Sequence, residues 1–352
     1  MMISSQQVSC PRLGFIGPVS GGGKQTIPTP GEFLAERFHE EGCSVVAESA
    51  YRGKAARLLD VCNILIRHNR NIDILVLSVY LGQGFFLEDL ASLVAGWLRI
   101  PVVMVLHNGL TPAFVSLFPE WTSRFFRRAR VLVAPSAFLP RSLRPFGMTV
   151  RVIPNPIDIG LYPFRLRKQA SPRLLWMRSF YPYYNPQMAV RALTHLKEKH
   201  DDLSLVMAGK DKGLQLVVSQ LAAELGVEAQ VAFCGFLQGN EKLDRFDQAD
   251  IFINTNNVDN APVSIVEAWA MGTPVVSTNV GGIADLVQDG ETGLLVPDDD
   301  DRAMAESIER LLKSPDLVRK LSAQGYEQAK KCSWQAVLPQ WKNLFEEIGG
   351  RR

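Results

Sequence analysis

Short apolar runs rich in Val, Ile and Leu alternate along most of the chain with longer amphipathic stretches. Such runs are typical of parallel strands buried on both faces, and the stretches between them are typical of the helices that cover a parallel sheet. The first half therefore predicts strands within LGFIG from Leu13, SVVAES from Ser44, ILVLSVY from Ile74, PVVMVLH from Pro101, RVLVAPS from Arg130 and VRVIPNP from Val150.

A second series of the same kind follows a segment rich in Pro, basic residues and aromatics, residues 154–172. This series predicts strands within LLWM from Leu174, SLVMAG from Ser204, VAFCGF from Val231, IFINT from Ile251, PVVST from Pro274 and GLLVP from Gly293. Helices from about Asp299 to Gln328 are expected to close it.

The fold class predicted from these two series is α/β, with two doubly wound, Rossmann-like domains facing a cleft. The predicted domains are residues 1–165 and 166–332, followed at 333–352 by a helix that packs back on the first domain. The carboxyl ends of parallel strands are where such domains bind ligands, so both domains are expected to contribute to one site.

Charge is distributed unevenly, although the net charge is only +2. Residues 1–168 carry 19 Lys and Arg against 11 Asp and Glu, which leaves 19 against 25 for the rest. This asymmetry indicates an anionic partner for the first domain, such as lipid headgroups or a phosphorylated acceptor. The basic, aromatic tract WTSRFFRRARVLV from Trp121 fits either a membrane contact or an ordinary surface helix. No recognised nucleic-acid module accompanies it, so no nucleic-acid partner is expected.

Five scattered cysteines without a CxxC pair favour a reducing compartment, and the first residues lack the pattern of a signal peptide. The longest segment without charged residues, 100–119, contains three prolines and is a poor membrane span. We therefore expect a cytoplasmic protein, with peripheral attachment to a membrane left open.

The run from Asn254 to Val287 carries the densest candidate chemistry and is typical of a strand end, a polar loop, a helix and a further strand. The N-terminal end of this helix comprises Ala261, Pro262, Val263 and Ser264. Apart from proline, which has no N–H, these residues would present their backbone N–H groups at a helix end, where a phosphate group binds well. Asp259 and Glu267 could each grip a diol of a sugar or ribose. A capping aspartate and a solvated helix glutamate are the alternative interpretation.

This run resembles the signature of the family-4 retaining glycosyltransferases of the GT-B fold. In that family two acidic residues are separated by seven others, as Asp259 and Glu267 are here. A Gly-x-Pro-Val-Val turn and a Gly-Gly-x-x-acidic segment follow, and Gly281, Gly282 and Asp285 match the latter. The first acidic position is more often glutamate in the family.

Weaker similarity extends over nearly the whole chain and implies further site residues. His107, after an apolar strand, resembles a contact to the donor sugar and phosphate, and Arg178 resembles the arginine that binds the donor diphosphate. The family's lysine about five residues later is absent here, where Tyr183 and Tyr184 stand. The remaining implied donor contacts are Gly22 and Gly23 in GGGK, Asn155 in VIPNPID, and Lys210 in AGK as a substitute for the lysine.

The resemblance implies a hexosyltransferase-type enzyme of polysaccharide biosynthesis or a related pathway. It would move a sugar from a nucleotide-diphosphate sugar to a glycan, lipid or small-molecule acceptor, with retention of configuration. Arg178 and the helix N-terminus would supply the positive charge for the leaving group, so we expect neither a metal ion nor a cofactor besides the donor. A nucleotide-sugar epimerase of the same fold and a non-catalytic sugar-nucleotide-binding protein are the alternatives.

Overall fold

The protein is described by a computed structural model that covers residues 10–17, 29–47 and 54–349. Its architecture is two six-stranded parallel sheets with helices between successive strands, so the predicted α/β class is confirmed. Every strand predicted from an apolar run is present, with ends that differ from the run by at most four residues.

The first sheet has the strand order β2-β1-β3-β4-β5-β6. Its strands are β1 Leu13–Ile16, β2 Val45–Ala47, β3 Ile74–Val79, β4 Val102–Leu106, β5 Val131–Ala134 and β6 Val150–Val152. The central strands β3 and β4 are buried along their whole length, as their uninterrupted apolar composition predicts.

The helices of this half connect consecutive strands. They are α1 Pro30–Glu40, α2 Lys54–Arg67, α3 Phe85–Trp97, α4 Thr111–Leu117, α5 Pro119–Phe126 and α6 Phe138–Leu143. Helix α1 begins with a capping box, in which the Thr29 hydroxyl accepts from the Glu32 N–H and the Glu32 carboxylate accepts from the Thr29 N–H.

The second sheet has the order β12-β11-β10-β7-β8-β9. Its strands are β7 Arg173–Met177, β8 Ser204–Ala208, β9 Val231–Gly235, β10 Ile251–Asn254, β11 Val275–Thr278 and β12 Leu294–Val296. The helices are α7 Pro186–Thr194, α8 Gln215–Glu224, α9 Gly239–Gln248, α10 Val263–Ala270, α11 Ile283–Leu286, α12 Asp301–Lys313, α13 Pro315–Lys331 and α14 Trp334–Ile348. Ser314 ends α12 and caps α13, which divides the closing helical stretch that the sequence predicts as one region.

The chain divides into two compact units. The first contains the described residues up to Pro135, Leu139–Ile153 and the chain from Leu338 onward, and the second contains Ser136–Phe138 and Pro154–Val337. The units therefore change at Pro154, whereas the sequence predicts the domain bound after residue 165.

The C-terminal helix α14 belongs to the first unit from Leu338 onward. Phe345 packs against Phe38 of α1 with ring centroids 5.4 Å apart, and Glu347 pairs with Arg151 of β6 at 2.6 Å. Pro339 lies inside the helix without ending it. The last turns of the chain thus complete the core of the unit with which the chain begins.

The cysteines differ from the sequence-based expectation of reduced thiols. Cys10 and Cys43 form a disulfide, while Cys62, Cys234 and Cys332 are free. Spacing in the sequence could not indicate the pair, because Cys10 precedes β1 and Cys43 precedes β2, and only the pairing of these two strands brings them together.

Membrane-spanning helices are absent from the described part of the chain, where no helix is both long and apolar enough to cross a bilayer.

Glu88, one turn into α3, holds the loop that leaves β3. Its carboxylate accepts from the N–H groups of Tyr80, at 2.8 Å, and Leu81, at 3.3 Å. Leu81 has a positive φ of 61°, which is rare for a residue with a side chain and requires such support. Glu88 is buried, and burial raises its pKa to about 7 although the two N–H groups oppose the shift.

This raised pKa predicts a pH dependence of stability. Between its unfolded pKa of 4.5 and about pH 7, Glu88 is protonated in the folded chain and ionised in the unfolded chain. The folded state binds more protons there, so stability falls as pH rises through this interval and is level above it. The variant Glu88→Gln has no titrating group at this position. Over this interval the free energy of unfolding of Glu88→Gln should therefore fall by about 3 kcal/mol less than that of wild type, measured by urea unfolding at a series of pH values. Glu120→Gln on exposed α5 is the control, and a pH-independent difference between wild type and Glu88→Gln would contradict the assignment.

Candidate functional site

The second sheet has a topological switch point between β7 and β10. The chain leaves β7 toward β8 on one side, while β10, which follows later in sequence, pairs with β7 on the other side. Loops after such a pair diverge and leave a crevice at the carboxyl edge of the sheet, where open α/β sheets bind ligands. Arg178 directly follows β7, and Asp259 lies in the loop that follows β10.

The fold brings Arg178 and Asp259 together at this edge. The Arg178 Nη2 donates to Asp259 Oδ2, and Asn256 Nδ2 donates to the same oxygen at 2.7 Å. The other carboxylate oxygen accepts from the Asn260 N–H at 2.7 Å. Both ionic side chains are mostly buried, with 18% of Arg178 and 13% of Asp259 exposed. Asp259 is therefore a fixed anchor for the arginine.

Tyr184 lies beside Arg178, in the stretch Tyr183–Tyr184 where the resemblance implies a lysine. It ends a short 3-10 helix, Pro182–Tyr184, and its ring centroid lies 4.1 Å from the Arg178 guanidinium carbon. Its carbonyl accepts from the Thr255 hydroxyl, which in turn accepts from the Trp176 indole. The tyrosine thus holds the arginine by a cation–π contact and ties the loops after β7 and β10 together, but it adds no positive charge.

The N-terminus of α10 is open to a ligand. Its N-cap is Pro262, which contributes no side-chain hydrogen bond to the first turn. The hydroxyl of Ser264 is buried and has no hydrogen-bond partner within the described residues. Asn155 Nδ2 donates to the carbonyl of Ala261 at 3.3 Å and so positions the residue before the cap. Uncapped N–H groups and an unsatisfied hydroxyl at a helix N-terminus suit an anionic group.

Glu267, inside α10, accepts two hydrogen bonds on one carboxylate oxygen. Tyr162 donates its hydroxyl to Oε1 at 2.8 Å, and Lys242 donates its ammonium to the same atom at 2.7 Å. Burial and the charge of Glu267 both raise the pKa of Tyr162, so this hydroxyl remains a donor. Neither contact uses Oε2.

Tyr162 and Lys242 are contacts of the site that the sequence reasoning missed. Lys242 lies in the strongly charged helix α9, where nothing distinguishes it from a solvated surface residue. The one signal that could have found it is the need of a mostly buried Glu267 for an opposite charge.

Two glycines explain the close approach of the loop after β11 to the Asp259 loop. A Cβ on Gly281 would lie 2.1 Å from the Asp259 carbonyl oxygen, and one on Gly282 would lie 1.8 Å from that of Asn260. The Gly282 N–H donates to the Asp259 carbonyl at 2.9 Å. Asn260 also accepts from the Ser136 hydroxyl at 2.6 Å. The Gly-Gly pair is thus a packing requirement of the loop that carries Asp259.

Lys210 follows β8 at the same edge of the sheet, and its ammonium lies 4.9 Å from the centroid of the Phe236 ring. Its neighbour Gly209 passes against Arg178, since a Cβ there would lie 1.8 Å from the Arg178 carbonyl oxygen. The AGK segment therefore supports the backbone of the arginine. The structure does not give Lys210 a contact with Arg178 or Asp259.

His107 belongs to the first unit and follows β4 as predicted. Its ring stacks on Tyr80, with centroids 4.8 Å apart. Both ring nitrogens are shielded, and neither has a hydrogen-bond partner in the part of the chain that the structure describes. Burial lowers the pKa of His107 to about 4, so the ring is neutral at pH 7 and can donate one hydrogen bond and accept another. The predicted Gly22 and Gly23 lie outside the described residues.

Two family models match consecutive parts of the chain. Residues 30–161 match the model described as Glycosyltransferase Family 4, and residues 162–328 match the model described as Glycosyl transferases group 1. Together they run through nearly all of both sheets.

Relatives of known name show the same similarity. A D-inositol 3-phosphate glycosyltransferase of Corynebacterium efficiens is 30% identical over 47% of this chain, a match that spans only 40% of that protein. Its counterpart in Corynebacterium diphtheriae is 27% identical over 94% of this chain and 78% of its own length. A phosphatidyl-myo-inositol mannosyltransferase of Mycobacterium leprae is 25% identical over 70% of this chain and 67% of its own.

Among solved structures, Alr3699/HepE of Anabaena in complex with UDP and glucose superposes with a TM-score of 0.75 at 17% identity, covering 96% of this chain and all of that one. The sucrose-phosphate synthase of Thermosynechococcus elongatus has a TM-score of 0.72 at 18% identity, covering 88% and 84%. At this identity the superpositions establish the GT-B fold.

The tight approach at Gly282 predicts a strong effect of one methyl group. Gly282→Ala should push the Asn260 backbone away and cost about 1–3 kcal/mol of stability, measured by urea unfolding. The matched control is Gly96→Ala in α3, where an added Cβ meets nothing within 4 Å and φ is helical, and this variant should gain about 0.5–1 kcal/mol. Equal effects of the two substitutions would contradict the packing role of Gly282.

The two contacts of Glu267 predict unequal losses. Lys242→Met leaves a mostly buried carboxylate without its cation and should cost about 1.5–3 kcal/mol, whereas Tyr162→Phe removes one hydrogen bond and should cost about 1 kcal/mol. Lys320→Met is the control, because its pair with Glu291 is 41% and 50% exposed and such pairs contribute little. The three variants are compared by urea unfolding, and a loss at Lys242 no greater than at Lys320 would refute the assignment.

Proposed function

The chain belongs to the group 1, family-4 glycosyltransferases of the GT-B fold, and we propose that it transfers a hexose from a nucleotide-diphosphate sugar with retention of anomeric configuration. The donor would bind at the carboxyl edge of the second sheet, between the loop after β7 and the N-terminus of α10.

One observation supports this proposal: hydrogen-bonding groups without a partner lie directly after β7 and in the first turn of α10, both at the carboxyl edge of the second sheet. The Arg178 Nε–H and the Ser264 hydroxyl are buried and unpaired among the described residues, and no side chain caps the first turn of α10. Buried donors of this kind are costly unless a ligand satisfies them. A diphosphate offers acceptor oxygens for all of them, and a guanidinium fixed by Asp259 would meet it without reorganisation.

The two carboxylates would have different tasks. Asp259 is engaged by Arg178 and Asn256, so we assign it to orienting the arginine and the hydroxyls of the donor sugar nearest to it. Glu267 leaves Oε2 outside its contacts with Tyr162 and Lys242, and this oxygen would accept from the ribose hydroxyls. For His107 of the first unit, the contact to the donor sugar and phosphate that the resemblance implies stays a prediction, and its ring is neutral.

The chemistry would be same-face substitution. As the glycosidic bond breaks, negative charge develops on the diphosphate, where Arg178 and the α10 N-terminus stabilise it. The two carboxylates assigned to the donor, Asp259 and Glu267, are each paired with a cation. We therefore propose that the leaving phosphate accepts the proton of the acceptor hydroxyl on the face from which it departs. Because fixed positive charge and N–H groups serve the leaving group, we propose that no metal ion is required.

The acceptor is proposed to carry a phosphate or another anionic group. The named relatives include transferases to inositol phosphate and to phosphatidylinositol. The excess of basic residues in 1–168, 19 against 11, would attract such an acceptor. Because Alr3699/HepE binds UDP and glucose in this fold, UDP-sugars are the first donors to test.

A sugar-nucleotide-binding protein without turnover is the second candidate, favoured by one observation. Tyr184 takes the place of a cation beside Arg178, so the charge available to the leaving group is lower than in a site with both arginine and lysine. Ligand binding with neither transfer nor donor hydrolysis would support this candidate, and release of an epimerised nucleotide-sugar would support an epimerase.

Heat denaturation with UDP-, GDP- and ADP-sugars should identify the donor. A ligand at about 100 times its Kd stabilises the folded state by about 2.7 kcal/mol and raises its Tm. With that donor, Arg178→Met should lower the transfer rate by a factor of about 100 to 1000. Arg319→Met on exposed α13 is the control and should leave the rate unchanged.

Three further results would count against the proposed function. A product of inverted configuration, seen in the anomeric proton coupling, would exclude retention. Loss of transfer in chelator with recovery on addition of Mg²⁺ would exclude the metal-independent route. Absence of stabilisation by every nucleotide-sugar would remove the donor site itself.

A further inference from the structure

The solvent-facing side of helix α3 is apolar along its whole length. Phe86, Leu93 and Trp97 are 66%, 48% and 75% exposed, and their spacing of seven and four residues places them on one face. Half-buried Leu90 lies on the same face. A surface helix of a globular protein normally shows polar side chains to water, so this face lacks its expected composition.

Exposed apolar side chains of neighbouring helices extend this face. Helix α2 packs beside α3 and exposes Leu59, at 74%, and Ile66, at 47%. Where α4 meets α5, Leu117 and Phe118 are 73% and 45% exposed. Trp121 of α5 joins this part to α3, since its ring lies 5.2 Å from Phe86 and 6.2 Å from Phe118.

These helices form one layer of the first unit. The strand order runs β2-β1-β3-β4-β5-β6, so the crossovers from β2 to β5 all move in one direction, and right-handed connections place α2, α3, α4 and α5 on the same side of the sheet. The β1–β2 crossover runs the other way and places α1, with α14, on the opposite side. Among the described residues of this unit, nearly all exposed large apolar side chains belong to the α2–α5 layer. The two outside it are Phe146, which follows α6, and Val152 on β6.

Arginines border the apolar layer. Arg67 and Arg70 follow the exposed face of α2, and Arg124, Arg127 and Arg130 lie on or after α5, all of them exposed. The acidic groups of this layer that reach solvent are Asp60 on α2, Glu120, which faces Arg124 across 3.8 Å, and Asp89, which is engaged by Arg128 and Trp121. Apolar aromatics within a ring of arginines complement an anionic lipid surface.

We propose that the α2–α5 layer of the first unit rests in the interface of an anionic lipid membrane. Trp97, Phe86 and Leu117 would enter the headgroup layer, and the bordering arginines would contact lipid phosphates. The structure also revises the membrane interpretation of the Trp121 tract: Phe125 and Phe126 are buried and Arg128 is paired, so the tract supplies part of the border while α3 supplies the inserting face.

This surface bears on the acceptor and in that respect rests on the proposed function. The N-terminal end of α3, with Phe86, lies at the carboxyl edge of the first sheet, because α3 begins after β3, and His107 lies at the same edge after β4. An acceptor anchored in lipid would therefore reach the edge at which ligands bind without leaving the membrane.

The test is co-sedimentation of the full chain with vesicles of phosphatidylcholine alone and of phosphatidylcholine mixed with phosphatidylglycerol. Wild type should bind the mixed vesicles more tightly, and added salt should weaken that binding. Phe86→Ser with Trp97→Ser should lower it about tenfold or more. Leu216→Ser with Val217→Ser is the matched control, because these residues of α8 are equally exposed, at 69% and 45%, and lie in the second unit.

A second variant, Arg124→Gln with Arg127→Gln, keeps the apolar face and should weaken binding to the mixed vesicles several-fold while leaving binding to pure phosphatidylcholine unchanged. Failure of wild type to bind either vesicle, or equal binding by the Phe86 and Trp97 variant, would overturn the proposal. If wild type does not bind vesicles but self-associates, and the Phe86 and Trp97 variant does not self-associate, the face joins two copies of the chain instead. Nucleotide-sugar binding without vesicles tests the donor site separately.

Discussion

The arrangement of the proposed donor site depends on the pairing of β7 with β10. These strands are far apart in sequence, yet Leu174 and Leu175 pair with Ile251 and Phe252 at the centre of the second sheet. Because parallel strands end at a common edge, this single pairing places the arginine after one strand beside the acidic loop after the other. If the pairing slipped by one residue, the side chains of one strand would move to the opposite face of the sheet relative to the other strand. The charged groups after the two strands would then be separated.

Around that pairing, the site is held by contacts that leave specific groups unsatisfied. Asp259 accepts from an arginine, an asparagine and a backbone N–H, while the glycine pair of the following loop packs against its carbonyl. This network fixes Arg178 but does not satisfy its Nε–H. Rigid placement of an unpaired donor is how a protein prepares to bind charge that develops later, because no reorganisation is then needed.

An aromatic ring beside the arginine gives this site its individual character. Tyr184 holds Arg178 through its ring and joins the two loops through its carbonyl, so it supports the geometry of the site and contributes no charge. Around Glu267, in contrast, a residue that contacts the site does contribute charge, since Lys242 brings a positive charge to the carboxylate. The second unit thus has one cation, Arg178, on the side proposed for the diphosphate and one, Lys242, on the side proposed for the ribose.

The sequence by itself determined the two α/β sheets, their strands and the acidic loop before α10. Strands that are buried on both faces have continuous apolar runs, and the start of a helix requires particular residues in the preceding turn, so both are visible locally. Only the tertiary structure decided the contacts between distant segments: Tyr162 and Lys242 on Glu267, the disulfide between Cys10 and Cys43, and the apolar face of α3. A lysine in a charged helix and a leucine in an apolar one look alike whether they face water or a neighbour. Their roles follow from strand order and packing, which local patterns do not encode.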